Sequence, residues 1–329
     1  MRSDPALVVR NPAELIAALP FLMGYHPRDS VALVGMRGRD LDFGACFDLP
    51  PPGGDEREIR RGVRETAETV RRQHPGGLMI IGYGAAQRVT PVVLCLVEAL
   101  HGADIRVDEV LRVDGGRWWS YLCTDPGCCS PDGQPCLPAD SVIAAEATYL
   151  GQVALPDRAA MVAQVAAVDG PARAAMVAAT ERARRRFGEL VRETEGRTVG
   201  KRIRQAGRAA IREVERRYRS GAALGDDEVA WLGVMLTDRA VEDYALDRLD
   251  GTEWRVRLWT DVVRRVEPVY VPAPACLLGF SAWRLGRGAL ARVAADRALA
   301  VDPGHDLAVT LNRVLGFGFG PAVLRGGSR

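Results

Sequence analysis

GLMIIGYGAAQRVTPVVLCLVEALHGADIRVDEVLRV, residues 77–113, decides the fold class of this chain. Gly77–Gly82 is an uncharged apolar run of strand length. Gln87–Leu100 places apolar residues at helical spacing, and Ile105–Val113 returns to strand. Strand, helix and strand in succession predict helices packed on a sheet.

Working outward, Ser30–Gly35 (SVALVG) reads as a buried strand that pairs with Leu41–Phe47 across a polar tip at Arg37–Asp40. The run Pro50–Gly54 closes that hairpin, and a helix rich in Glu and Arg follows from Asp55 to Gln73. Upstream, Asn11 can cap a helix whose first residue is Pro12. Downstream, Trp118–Cys123 pairs with Ile105–Val113 by turning at Asp114-Gly115-Gly116. The hairpins make the predicted sheet mixed. From about Ser141 strand signals fade: Asp140–Leu155 is a transition, and the rest reads as helix, including Asp226–Leu249 and Ala275–Val301, up to a short Gly/Pro/Arg tail. The expected fold class is α/β, a mixed sheet flanked by helices in residues 1–150, followed by an all-helical region in 151–329.

Composition narrows the function classes. At 329 residues, 47% hydrophobic and 26% charged, the chain is an ordinary globular one and not a disordered or low-complexity one. The net charge of +2 excludes a generic polyanion binder. Lys201 is the only lysine, so 43 of the 44 basic residues are arginine, a chain-wide bias that points to a GC-rich genome rather than to a site. The longest nearly uncharged apolar run, Val89–Val97, is far short of a membrane span. With no signal-peptide pattern and an odd count of seven cysteines, a cytoplasmic protein without a disulfide framework is the expectation.

Three blocks carry a family resemblance: RNPAELIAALPFLMGYHPRDSVALVGMRG at the front, RWWSYLCTDPGCC in the middle, and LLGFSAWRLGRGALARVAADRALAVDPGHDLA near the end. In that order they resemble an actinobacterial family catalogued as domain of unknown function 4192. The resemblance implies no activity and no catalytic residue. Ala45-Cys46 departs from it, standing where a basic residue is expected in the second strand. The last block also resembles a single tetratricopeptide-like helical hairpin, through Leu278-Gly279, Ala291, Ala298 and Pro303. The large residues such a unit expects at Ala275, Ala282 and Ala295 are missing.

Four groups of residues could carry chemistry. Cys123, Cys128, Cys129 and Cys136 fall within fourteen positions of a turn-rich segment. Zinc held by thiolates is one reading, a disulfide from Cys123 to Cys128 or Cys129 a second, and plain reduced thiols a third. The spacing lacks a C-x2-C knuckle, and adjacent cysteines are not expected to point at one ion. Tyr25, His26, Asp29 and Ser30 share one turn, where Asp29 and Ser30 are expected to bond backbone amides rather than to form a triad. Gly82 and Gly84 sit between strand and helix, where amides can cradle phosphate, although a tight turn is the simpler reading. Between Glu181 and Ser220, 13 Arg and Lys201 stand against six Glu. Arg184, Arg185, Arg186, Arg212, Arg216 and Arg217 could there face phosphates or simply form helix-surface ion pairs.

The sequence therefore predicts a non-catalytic binding or regulatory module that meets a protein partner or a small ligand. An enzyme with a pocket at the strand ends, near Tyr25, Asp29, Ser30, Gly82 and Gly84, is the alternative. Nucleic-acid association through residues 181–220 is a third, less favoured class, and no membrane is implied.

Overall fold

A computed structural model describes residues 9–37, 40–73, 75–125, 127–194 and 198–316. Part of the hairpin tip at residues 38–39, His74 and the Gly/Pro/Arg tail from residue 317 lie outside the described residues. The fold is the expected one, a mixed sheet with helices followed by a helical region. The chain divides into two compact units, one up to residue 160 and the other over 161–315.

In the first unit, α1 (Pro12–Met23) starts as its cap predicts, with the Asn11 side chain accepting the Glu14 amide at 2.9 Å. Gly24, at φ 79°, ends it. Then come β1 (Ser30–Arg37), β2 (Asp40–Asp48), α2 (Glu56–Gln73), β3 (Gly77–Tyr83), α3 (Ala86–His101), β4 (Val107–Asp114), β5 (Arg117–Ser120) and β6 (Gln134–Pro135). The sheet order is β2-β1-β3-β4-β5-β6, and only β3 and β4 run parallel. Alternate residues serve opposite faces. Val31, Leu33, Leu78 and Ile80 pack with Val63 and Val70 of α2 and Val93 and Leu96 of α3. Ala32, Val34 and Ile81 pack with Leu15, Ile16 and Leu19 of α1. Both faces being covered, the centre of β1 from Val31 to Gly35 is apolar with no polar alternation.

Two local expectations need correction. Trp118–Cys123 leaves the ladder after Ser120, because the Ser120 hydroxyl accepts the amides of Leu122 and Cys123 at 3.1 and 3.0 Å and turns the chain away. The segment expected as a transition holds a helix, α4 (Val142–Tyr149), whose Ile143, Ala144 and Ala147 are buried.

The second unit is helical. After α5 (Arg158–Gln164), which spans the division, come α6 (Gly170–Arg192), α7 (Val199–Arg219), α8 (Asp226–Met235), α9 (Arg239–Asp247), α10 (Glu253–Arg265), α11 (Pro272–Arg284), α12 (Gly288–Val301) and α13 (Asp306–Gly316). Asp226–Leu249 is two helices rather than one, since the Asp238 carboxylate accepts the amides of Ala240 and Val241 and caps a fresh start. Ala275–Val301, the segment read as a helical hairpin, holds the two helices α11 and α12, with Gly286 at φ 77° between them. Gly279 lets α11 close on its neighbours: a Cβ there would stand 2.3 Å from Leu311 Cδ2 and 3.4 Å from the Ala291 carbonyl oxygen. Beneath α7, the buried Glu215 accepts from Arg248 at 2.8 Å and from the buried Arg255 at 3.2 Å, so the charges that enter this core are paired.

Candidate functional sites

The strand ends bring Asp29, Ser30, Gly82 and Gly84 to one edge, but pack them together. Ser30 pairs with Tyr83 across β1 and β3. Asp29, at φ 43°, accepts on its Oδ1 from Arg88 of α3 at 2.6 Å, and Arg88 also donates to the Pro50 carbonyl. Ser30 Oγ is buried without a hydrogen-bond partner. The backbone-capping role expected of these two side chains is thus not what they do, and the Ser-His-Asp reading gains no relay. Gly84 N donates to the Val113 carbonyl at 2.9 Å, which removes it from any phosphate cradle. A Cβ on Gly82 would lie 2.2 Å from Val89 Cγ1, so that glycine seats α3 against β3. The tight-turn reading describes Gly82–Gly84.

The register reveals a row that no local motif announced. Asp48, Ser30, Tyr83, Val113, Trp118 and Gln134 are successive partners across all six strands, and hence share one level on the α1 face. Tyr83 Oη and Trp118 Nε1 are buried without hydrogen-bond partners, as Ser30 Oγ is. Burial, with the nearby Cys46 thiol, pushes the Tyr25 hydroxyl far up, and burial likewise raises Tyr83, Cys46 and Cys136. These groups are all held neutral. Ser30, Tyr83 and Trp118 thus bring buried polar atoms to the row, while Asp48 at its end is exposed and accepts from Arg158 at 2.6 Å.

The cysteine segment divides. Cys123, Cys128 and Cys129 converge, with their Sγ atoms all within 4.8 Å of one another. Cys136 instead packs with the α1-face cluster that contains Tyr83. Adjacency therefore does not keep Cys128 and Cys129 apart. Their amides both donate to the Asp125 carbonyl, at 3.1 and 2.7 Å, which curls the chain so that the two side chains emerge on one side. Asp125 Oδ1 holds the Gly127 amide, Gln134 Nε2 donates to the Cys128 carbonyl at 2.7 Å, and Trp119 Nε1 donates to the Pro131 carbonyl at 3.0 Å. Arg117 donates to the carbonyls of Asp132 and Gly133, and Gly133 needs its φ of +77° against the Trp119 ring, 2.5 Å from a would-be Cβ. Hydrogen bonds thus order a loop poor in apolar residues. The thiols share protons unequally: a hydrogen bond with Cys129 lowers Cys123, and the same bond, with desolvation second, pushes Cys129 up to about 12.

Several side chains of the basic helices have acidic or aromatic partners. Arg184 donates to Glu181 and to the Tyr270 hydroxyl, each at 2.9 Å, Arg182 to Asp227 at 2.8 Å, Arg216 to Glu213, and Arg217 to Glu228. Arg186 lies over the Trp231 ring at 4.1 Å, and Arg212 reaches the Tyr244 hydroxyl at 3.5 Å. Arg185 is exposed.

The helical unit also holds a cleft. Its volume is about 580 Å³, and Glu242, His305, Arg239 and Asp306 line it together with Leu236 and Pro272. Glu242 is 5% exposed and its Oε1 has no hydrogen-bond partner, although His305 Nε2 stands 3.4 Å away. Burial pushes the Glu242 carboxyl up to about 7 and lowers His305. Sixty-odd residues separate this glutamate from its histidine, so no spacing rule could have joined them.

A family model described as domain of unknown function (DUF4192) matches residues 12–322. No curated protein matches the chain. No solved structure matches it either. Among the described residues no helix is long and apolar enough to cross a membrane.

Proposed function

The chain belongs to this family of unknown function, and from its own geometry we propose that it is a non-catalytic binding and regulatory module whose α/β unit takes a zinc ion on Cys123, Cys128 and Cys129. The observation that carries the reading is the convergence of three thiols on a loop already ordered by its own backbone. Zinc–sulfur bonds of ~2.3 Å in a tetrahedron put sulfurs about 3.8 Å apart, within the spread of these three. Metal binding requires thiolates, and Cys123, lowered by its hydrogen bond with Cys129, supplies the first of them. Cys128 is exposed, so the fourth position is open to solvent or to a donor from a small ligand or partner protein. A cytoplasmic, reducing setting suits thiols kept for an ion. Catalysis at the strand ends has less support, because Asp29 is ion-paired and the Gly84 amide is occupied. Nucleic-acid association has less support because most arginines of α6 and α7 already have acidic or aromatic partners.

Cobalt(II) titration of the reduced chain tests the proposal. About one ion per chain should bind with sulfur-to-metal charge-transfer absorption, and zinc should displace it. Cys123→Ser and Cys129→Ser should each abolish the band, whereas Cys136→Ser should leave it intact. Because the loop is hydrogen-bonded without an ion, chelation should remove metal while leaving the circular dichroism unchanged. No absorption in the wild-type chain, or equal dependence on Cys136, refutes the three-thiol site.

A further inference from the structure

The helical unit holds a second binding feature that shares no residue with the thiol loop. The cleft between the start of α9, the start of α11 and the start of α13 has a volume of about 580 Å³, within the range that small-molecule sites occupy. At its wall the Glu242 carboxylate is buried to 5% exposure with Oε1 lacking a hydrogen-bond donor. A carboxylate in that state costs free energy unless something donates to it. We propose that the cleft binds a small organic cation, a primary ammonium or guanidinium group on a short apolar chain, with Glu242 as the recognising carboxylate.

The other charges around the cleft decide the sign of the ligand. Asp302 and Asp306 also line it, giving three carboxylates against one arginine and one histidine. Arg239 is already held between Asp306 at 2.6 Å and Asp243 at 3.5 Å, so it offers little to an anion. Burial keeps His305 toward its neutral form. An anion would therefore meet net negative charge, and a cation would meet an unsatisfied acceptor. Leu236, Pro272 and Ala273 supply an apolar wall for a few methylenes.

Cys276 invites a rival reading, since its Sγ lies 3.8 Å from His305 Nδ1 while His305 Nε2 faces Glu242. A thiol, an imidazole and a carboxylate in series resemble a nucleophilic relay. Cys276, however, is wholly buried, does not line the cleft, and is pushed far up by desolvation. A nucleophile must reach a substrate as a thiolate, and this one does neither. It is a packing residue behind the histidine.

Isothermal titration of the full chain with n-butylammonium and n-butylguanidinium at pH 8, with butyrate and 1-butanol as controls, tests the site. The two cations should bind saturably and the controls should not. Glu242→Gln keeps the shape of the side chain and should weaken the cations by about tenfold or more. Asp306→Asn, at the exposed rim, should weaken them by a smaller factor, and guards against a folding defect in the first variant. Cations that bind no better than butyrate overturn the proposal, as does an unchanged affinity in a folded Glu242→Gln chain.

Discussion

Glu242 also makes a stability prediction at the scale of one residue. Its carboxyl is raised to about 7 in the folded chain from an ordinary 4.5, with burial as the main cause. The folded state therefore holds a proton that the unfolded state has already lost between those values. Stability from this group is fully present below about pH 4.5 and is lost as pH rises through about 7, a change of roughly 3 kcal/mol. Glu242→Gln removes the titration. In urea unfolding the variant should match the parent near pH 4.5 and exceed it at pH 8. A difference between the two that does not vary with pH would mean that the carboxyl is not perturbed. The thiol trio differs from the buried thiols in cause: the hydrogen bond between Cys123 and Cys129 lowers the first and raises the second, whereas burial raises Cys46, Cys136 and Cys276.

Among the elements, β6 and the helix pair α11–α12 matter most. β6 is only Gln134–Pro135, yet its pairing with β5 brings the loop back to the sheet and sets the three thiols at its edge. Proline at a sheet edge removes a donor the ladder does not need there. The α11–α12 pair is built on small residues. Ala291, Ala294, Ala295 and Ala298 are fully buried, and Gly279 faces Ala291 and Leu311 with no room for a side chain. Ala291→Leu should overpack this contact and cost about 1–3 kcal/mol, read as a lowered urea midpoint with an unchanged slope. An unaltered midpoint would show that the helices can part without penalty. Leu236, Thr237 and Asp238 at the α8–α9 break have a related role, since the break places Arg239 and Glu242 at the cleft.

For the whole molecule, charge is the property that separates the readings. Its arginine surplus between residues 181 and 220 is local, while the chain carries only +2. Ion pairs and ring contacts occupy most of those guanidiniums, and a phosphate would have to displace them. The protein should pass through a heparin column at about 0.15 M salt, where surface attraction is screened within ~8 Å. Strong retention there, lost on replacing Arg184, Arg185 and Arg186, would revive the nucleic-acid reading. The two compact units divide the proposed tasks, with the thiol loop in the first and the carboxylate cleft in the second.

What the sequence alone determined is what depends on neighbours along the chain. Period and caps located α1, the β1–β2 hairpin and the β3–α3–β4 unit, and the absence of strand patterning after residue 141 marked the helical half. The cysteine cluster was visible too, because its members are close in number. Tertiary structure decided which of those cysteines meet, since the turn around Asp125 joins Cys128 and Cys129 to Cys123 while Cys136, beside β6, packs against the α1-face cluster. It alone assembled the polar row from Asp48 to Gln134, through strand register. It alone joined Glu242 to His305, through the packing of α9 against the α13 start. Local signals carry hydrogen bonds to near neighbours and the burial of one face. Sites made of distant residues depend on how those faces meet, and no window of the chain contains that information.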